Sequence, residues 1–288
     1  LQKLVIELRR LVKTDSLDNF KVHLDITCFN PENSGFSGQE AMEESNQDIS
    51  EKGSDSEEID PTRINPYSFS NICDYKLEGS FDSKGNFEGY FQIQRGDSQK
   101  QKIIFTTPNL EEEEEAECGK LNITLNIYDR EHEAIQSLFE RMGMDFNKIG
   151  IRRARKIISD MSGVAIIRNG FRIRPYGDPG HDWLELQAKR VQDPSKKLGS
   201  DQVSGFVQIE DEDTSGIIER SSREGLELNP QYWRLRKLIE TLLPHIEERR
   251  KDFREKAGLG RKPTSNVDKA RDSARLQSTF RSLKKVPE

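Results

Sequence analysis

The loop from Asp193 to Gln202 sets Lys196 and Lys197 side by side, with Gln202 at its end, just ahead of a β-branched run. A lysine ammonium is a compact charge on a flexible stem, suited to meeting a terminal phosphate presented by an adjacent domain. The alternative is a pair of solvated loop lysines. A second stretch with chemical potential is basic. Arg152, Arg153, Arg155, Lys156, Arg168, Arg172, Arg174, Lys189 and Arg190 fall within one short span. A basic helix beside an arginine-bearing hairpin suits the phosphates of DNA or RNA. It equally suits the acidic face of a protein partner. The net charge of −6 argues against a uniformly basic coat, and no aromatic platform for stacking bases accompanies the arginines.

Autonomous catalytic sets are missing from the sequence. His23, His132, His181 and His245 are scattered and form no metal-binding pair on a helix. There is no nucleophile elbow and no Walker A loop. Gly258, Gly260 and Lys262 have the wrong spacing for a phosphate loop and no strand before them. Cys28, Cys73 and Cys118 are too far apart for a zinc pattern and read as free thiols of a cytoplasmic protein. Glu111 to Glu115 reads as a solvated like-charge run. No metal site is expected. No apolar run approaches membrane-spanning length.

The elements that must position these residues follow from periodicity. Leu1 to Val12 has the spacing of an amphipathic helix, and Phe20 to Phe29 alternates as a strand. Asn30 to Asp60 is polar, acidic and poor in large apolar residues; it is expected to be a disordered loop. Strands are expected at Ile72 to Phe81, Phe87 to Ile93, Lys102 to Thr106, Leu121 to Tyr128 and Gln202 to Ile209. Helices are expected at Glu131 to Met142 and Lys148 to Met161. Between them and the last strand, Val164 to Arg168 and Phe171 to Arg174 flank Asn169-Gly170, a type I′ hairpin signal. Asn229 and Pro230 open the longest helix, with Leu235, Leu238, Ile239, Leu242 and Leu243 as its stripe and a kink expected at Pro244. The fold class is therefore α+β, a mixed sheet with helices largely on one side. Residues 20–228 are expected to form the α+β domain, with the acidic loop inside it, and 229–288 a helical C-terminal segment.

One run resembles a known superfamily: Ile167 through Leu184, followed by Arg190 to Pro194, Gln202 to Val207 and Ser222 to Leu226. In this order the motifs resemble the region after the nucleotide-binding domain in bacterial GHKL ATPases, the superfamily of DNA gyrase, ninety-kilodalton heat-shock chaperones, MutL and histidine kinases. The resemblance covers about Phe20 to Arg250. It implies a transducer-like fold with a left-handed βαβ crossover, where elementary packing favours the right-handed form. It also implies a partner, an ATP-binding domain in the same protein that residues 1–19 would end, and admits a homodimer. ATP and magnesium would belong to that domain, because this chain lacks the superfamily's Asn-bearing helix and Asp-x-Gly-x-Gly signature. A basic residue from this region would sense the γ-phosphate. Lys197 is the first candidate, with Lys196 and Arg223 as alternatives and Gln202 as a further phosphate-facing residue. The function implied is to sense nucleotide state and pass it on by rigid-body movement. The alternative is a nucleic-acid-binding module using Arg152, Arg153, Arg155, Arg172 and Arg174.

Overall fold

In the computed structural model, the residues described are 22–35, 37–40, 42, 62–64, 72–95, 99–110, 114–142, 146–222 and 224–259. The centre is a seven-stranded mixed sheet. Its strands are β3 (Tyr75–Phe81), β4 (Asn86–Ile93), β5 (Gln99–Thr106), β6 (Leu121–Ile127), β7 (Gly163–Arg168), β8 (Phe171–Ile173) and β9 (Val203–Ile209), in the order β5-β4-β3-β6-β9-β7-β8. Every pairing is antiparallel except β7 with β9. A separate short pair joins β1 (Val22–His23) to β2 (Arg63–Ile64).

Alternation decides which face each side chain takes. Tyr75, Leu77 and Phe81 of β3 lie in register with Ile127, Leu125 and Leu121 of β6, and all are buried. The same face continues through Val203 and Val207 of β9 to Val164 and Ile166 of β7. Against it lies the longest helix, which brings Leu235, Leu238, Ile239, Leu242, Leu243 and Ile246 into the same core. That helix, Pro230–Lys256, begins as its sequence dictates. The Asn229 side chain accepts the Tyr232 N–H at 3.0 Å, and Pro230 occupies the first turn, where no N–H is needed. It runs on through Pro244 as one helix, and Gly258, at φ 69°, follows its end. The segment from Asn229 to Lys256 thus shares the core of the sheet.

The two middle helices, His132–Arg141 and Phe146–Met161, build a second, smaller cluster. Ile135, Leu138, Phe139, Phe146, Ala154 and Ile158 gather there with Cys73 and Tyr128. Tyr128 follows Ile127 and so turns to the opposite side of the sheet. The two helices pack there near one end of the sheet, and the rest of that face stays open, with Ser80, Glu88, Tyr90 and Ile104 exposed. In chain order the helices are α1 (Pro31–Ser34), α2 (His132–Arg141), α3 (Phe146–Met161), α4 (Leu186–Gln192), α5 (Glu212–Ser215) and α6 (Pro230–Lys256). Gly150 interrupts α3 with a non-helical backbone, φ 74° and ψ 153°.

Two expectations are corrected. The strand read over Phe20 to Phe29 stops at His23, because the Asp25 carboxylate accepts the Thr27 N–H and hydroxyl at 3.1 and 2.7 Å and turns the chain. The segment read as disordered from Asn30 holds the helical turn α1, and Met42 is buried. Residues 43–61, the helix expected over Leu1 to Val12, and 260–288 lie outside the described residues.

Candidate functional site

The hairpin forms as its sequence predicts. Asn169 at φ 51° and Gly170 at φ 81° make the turn between β7 and β8. The arginines that follow are spent locally. Arg172 donates through Nε to the Tyr176 carbonyl at 2.8 Å and through Nη2 to Asp178. Arg174 donates to the other oxygen of Asp178 at 3.0–3.1 Å. Arg168 is buried against Glu219 at 2.9 Å. Lys189 meets Glu240 at 2.8 Å and Arg190 meets Asp201 at 3.0 Å. Of the basic span, Arg152, Arg153, Arg155 and Lys156 on α3 remain exposed, and so does Arg174 beside Asp178. Arg155 donates to the Arg130 carbonyl at 3.5 Å. The expected continuous basic surface is therefore cut back to α3 and to Arg174, whose charge is met by Asp178.

After the hairpin the chain folds into a shaped loop around Tyr176. Its ring sits edge-on to Trp183 at 5.5 Å and to His181 at 5.4 Å, and 6.3 Å from Tyr232 on α6. Its hydroxyl accepts the Leu226 N–H at 3.3 Å. The Trp183 indole donates to the Val164 carbonyl at 2.8 Å. Three of the sequence stretches that carry the resemblance, separated along the chain, are thus fastened together beside the β7–β9 pair. They border a cavity of about 290 Å³ lined by the end of α3, the start of β7, the Asp178–Leu184 loop, Ser200 and Asp201. Its carboxylates are already engaged. Asp178 holds the two arginines, Asp201 pairs with Arg190, and Asp182 caps α4 by accepting from the Leu186 and Gln187 N–H groups at 3.0 and 2.8 Å. Among the described residues no group of three or more His, Cys, Asp or Glu side chains is arranged to hold a metal ion.

The lysine loop is more fixed than a polar sequence suggests. Asp193 closes it, accepting from the Lys196 and Lys197 N–H groups at 3.3 and 3.0 Å through its carbonyl. Its carboxylate takes the Ser195 hydroxyl at 2.7 Å and the Lys196 N–H at 3.3 Å, and the hydroxyl most of all, with the backbone N–H groups, holds the Asp193 carboxyl below the usual range. Gln202 is turned inward. It is 3% exposed, its amide donates to the Tyr128 carbonyl at 3.3 Å, and its oxygen accepts the Gly199 N–H at 3.1 Å. A side chain at Gly199 would displace the Arg190 guanidinium, which crosses it on the way to Asp201. The two lysines differ. Lys197 reaches α6 and binds the buried carboxylate of Glu247 at 2.8 Å, and the next N–H, of Leu198, binds the other oxygen of Glu247 at 3.0 Å. Lys196 is half-buried at the loop surface near the Asp193 charge. Arg223 lies outside the described residues.

Sequence reasoning did not find the charged groups that bind α6 to the sheet. Asp129 is fully buried at the end of β6. It accepts from Arg250 at 2.5 and 3.0 Å, Arg254 at 2.6 Å, Arg95 at 2.7 Å and the Tyr75 hydroxyl at 3.0 Å. Burial alone would raise its carboxyl, but Arg250 and Arg254 outweigh that and hold it below the usual range. Asp74 beside it accepts from Arg141 and from the Asp129 N–H, both at 2.8 Å. Burial and the nearby Asp129 charge still push it up to about 6. At the other end of α6, Arg234 is buried against Glu115 at 3.1 Å, the Thr107 hydroxyl and the Pro108 carbonyl. One signal was available in the sequence: the apolar stripe of α6 continues at helical spacing into Glu247, Arg250 and Arg254. Charge on a buried face needs a partner. Burial drives the Cys73 and Cys118 thiols up to about 12, which leaves them inert at neutral pH.

No protein-family model matches the sequence, and comparison with curated proteins gives no match.

Proposed function

We propose that this chain is the nucleotide-state-sensing region of a GHKL-type ATPase, working against an ATP-binding domain of the same protein. On this reading the sheet is transducer-like, and the parallel β7–β9 pair, joined through β8 and α4, is where its crossover sits. The observation that carries the reading is the tie between the Asp193–Gln202 loop and α6. Lys197 and Leu198 both end on Glu247, so whatever engages the loop acts on the longest helix of the fold.

The chain's share in holding ATP is small. A loop cation meets the terminal phosphate when the neighbouring domain closes; adenine and magnesium are held by that domain. Lys197, bonded to Glu247, couples the event to α6 on this reading, and Lys196 is the alternative. Gln202 supports the loop from inside. Bound ATP supplies the phosphate charge, and this chain's residues orient the cation and exclude water around it. The protein works in the cytoplasm on this reading.

The test is hydrolysis by the intact ATPase. Lys197→Ala should slow turnover by about a hundredfold, the usual effect of losing a contact made chiefly in the transition state, with little change in ATP affinity. Lys196→Ala is the control, since adjacent residues of a fixed turn point in different directions. If both variants turn over at the wild-type rate, the loop is a connector and the reading fails.

A further inference from the structure

We infer that Glu247 is the resting counter-ion of Lys197 and sets how readily the loop is released toward a phosphate. This rests on the reading that Lys197 senses nucleotide. Glu247 is 2% exposed. Its two oxygens take the Lys197 ammonium and the Leu198 N–H, at 2.8 and 3.0 Å. A single carboxylate on α6 therefore grips both the side chain and the backbone of the loop. The next basic residues along α6 are committed elsewhere. Arg249 donates to the His245 carbonyl, Arg250 to Asp129, and Arg254 to Asp129 and Glu131. Lys251 pairs with Glu255.

The consequence follows from the physics of buried charge. When Lys197 turns to an outside anion, Glu247 stays in a dry setting with one N–H and no counter-charge, which is strongly unfavourable. The exchange is completed only if α6 moves to re-solvate or re-pair Glu247. Phosphate capture and helix movement are then one event. Glu247 is a positioning residue that acts through Lys197. In the resting state it also restrains the loop from capturing stray anions.

The prediction has an unusual sign. Glu247→Gln keeps the shape and the acceptor for Leu198 but removes the charge that holds Lys197. In the intact ATPase it should raise turnover roughly tenfold or more, the worth of one charge-assisted hydrogen bond no longer given up when Lys197 leaves Glu247, with little change in the ATP concentration for half-maximal rate. A residue needed only for folding would reduce activity instead. Glu247→Gln combined with Lys197→Ala should behave as Lys197→Ala alone. In parallel, acetylation of the Lys197 amine in the folded chain, read by mass spectrometry, should be faster in Glu247→Gln than in wild type. Glu247→Asp serves as a second variant should the Gln form fold poorly; it keeps the charge at a longer reach and should fall between the two. Three results would overturn the inference. One is an unchanged or lower turnover in both Glu247 variants. A second is additive effects in the double variant. The third is equal acetylation of Lys197 in wild type and Glu247→Gln. If Lys197→Ala itself leaves hydrolysis unchanged while Glu247→Gln exposes Lys197 to acetylation, the sensing function fails and the pair is structural only. If Lys197→Ala slows hydrolysis but Glu247→Gln gives no gain, the sensing function stands and the Glu247 role falls.

Discussion

Asp129→Asn and Asp74→Asn are the same chemical change in the same cluster, and the structure predicts different outcomes. Asp129 is met by three guanidinium groups and a hydroxyl. Removing its charge leaves Arg95, Arg250 and Arg254 crowded around a neutral amide in a buried site. Breaking a buried pair from one side costs about 3–5 kcal/mol. For a domain of this size that corresponds to a fall of about 6–20 °C in Tm. Asp74 is the reverse case. Its folded-state carboxyl is raised to about 6 from 3.8, so its ionisation works against folding at neutral pH by about 3 kcal/mol. The sign is clear. Its favourable contribution is complete below pH 3.8 and is lost as pH rises through about 6. Asparagine removes the unfavourable charge but gives up one of the two acceptors that serve Arg141 and the Asp129 N–H, a loss of about 1–3 kcal/mol. The net change at pH 7 is close to zero. The assay is urea unfolding at pH 7 and pH 4.5 for wild type and both variants. Equal losses for Asp129→Asn and Asp74→Asn at pH 7 would refute the assignment of opposite roles, as would a loss under 1 kcal/mol for Asp129→Asn.

Two other consequences are open to measurement. Gly205→Ala would place a methyl group 2.1 Å from the Thr124 carbonyl oxygen at φ 147°, so it should destabilise the chain by about 3 kcal/mol or more. Gly180→Ala, with nothing within 4 Å, should cost only the local backbone strain of about 1 kcal/mol, and equal Tm losses would contradict the packing at β9. For nucleic acid, a gel shift with duplex DNA at low salt should show no retained complex for Arg152→Glu with Lys156→Glu. A complex lost only with Arg172→Glu and Arg174→Glu would put the contact on the hairpin, against their pairing with Asp178, and would restore the nucleic-acid reading.

Local features were legible where they depend on a few neighbouring residues. The Asn169-Gly170 turn, the Asn229 cap and the alternation of β3, β4 and β6 are all set by side-chain size and backbone freedom within a short window. Partnerships across the fold were not. Asp129 and Arg250 stand 121 residues apart, and only the docking of α6 on the sheet brings them together. The same limit explains the arginines of the hairpin. Arg172 and Arg174 look like a presented surface until Asp178, four to six residues on, folds back on them. Gln202 misled for a related reason, since a polar residue at a loop end can satisfy the backbone inside as readily as a ligand outside. The helix α4 was missed because Leu186–Gln192 has one buried residue and no apolar stripe; Asp182 and the loop before it fix its start.

The central claim is that nucleotide state in an adjoining domain is read by the Asp193–Gln202 loop and carried into α6. Hydrogen–deuterium exchange on the intact ATPase, with and without a non-hydrolysable ATP analogue, tests it most directly. The account predicts altered protection on nucleotide binding at residues 193–202 and, together with it, at the turns of α6 around Glu247, with both changes lost in Lys197→Ala. Unchanged exchange at both places, or a change in the loop that leaves α6 untouched, would contradict it.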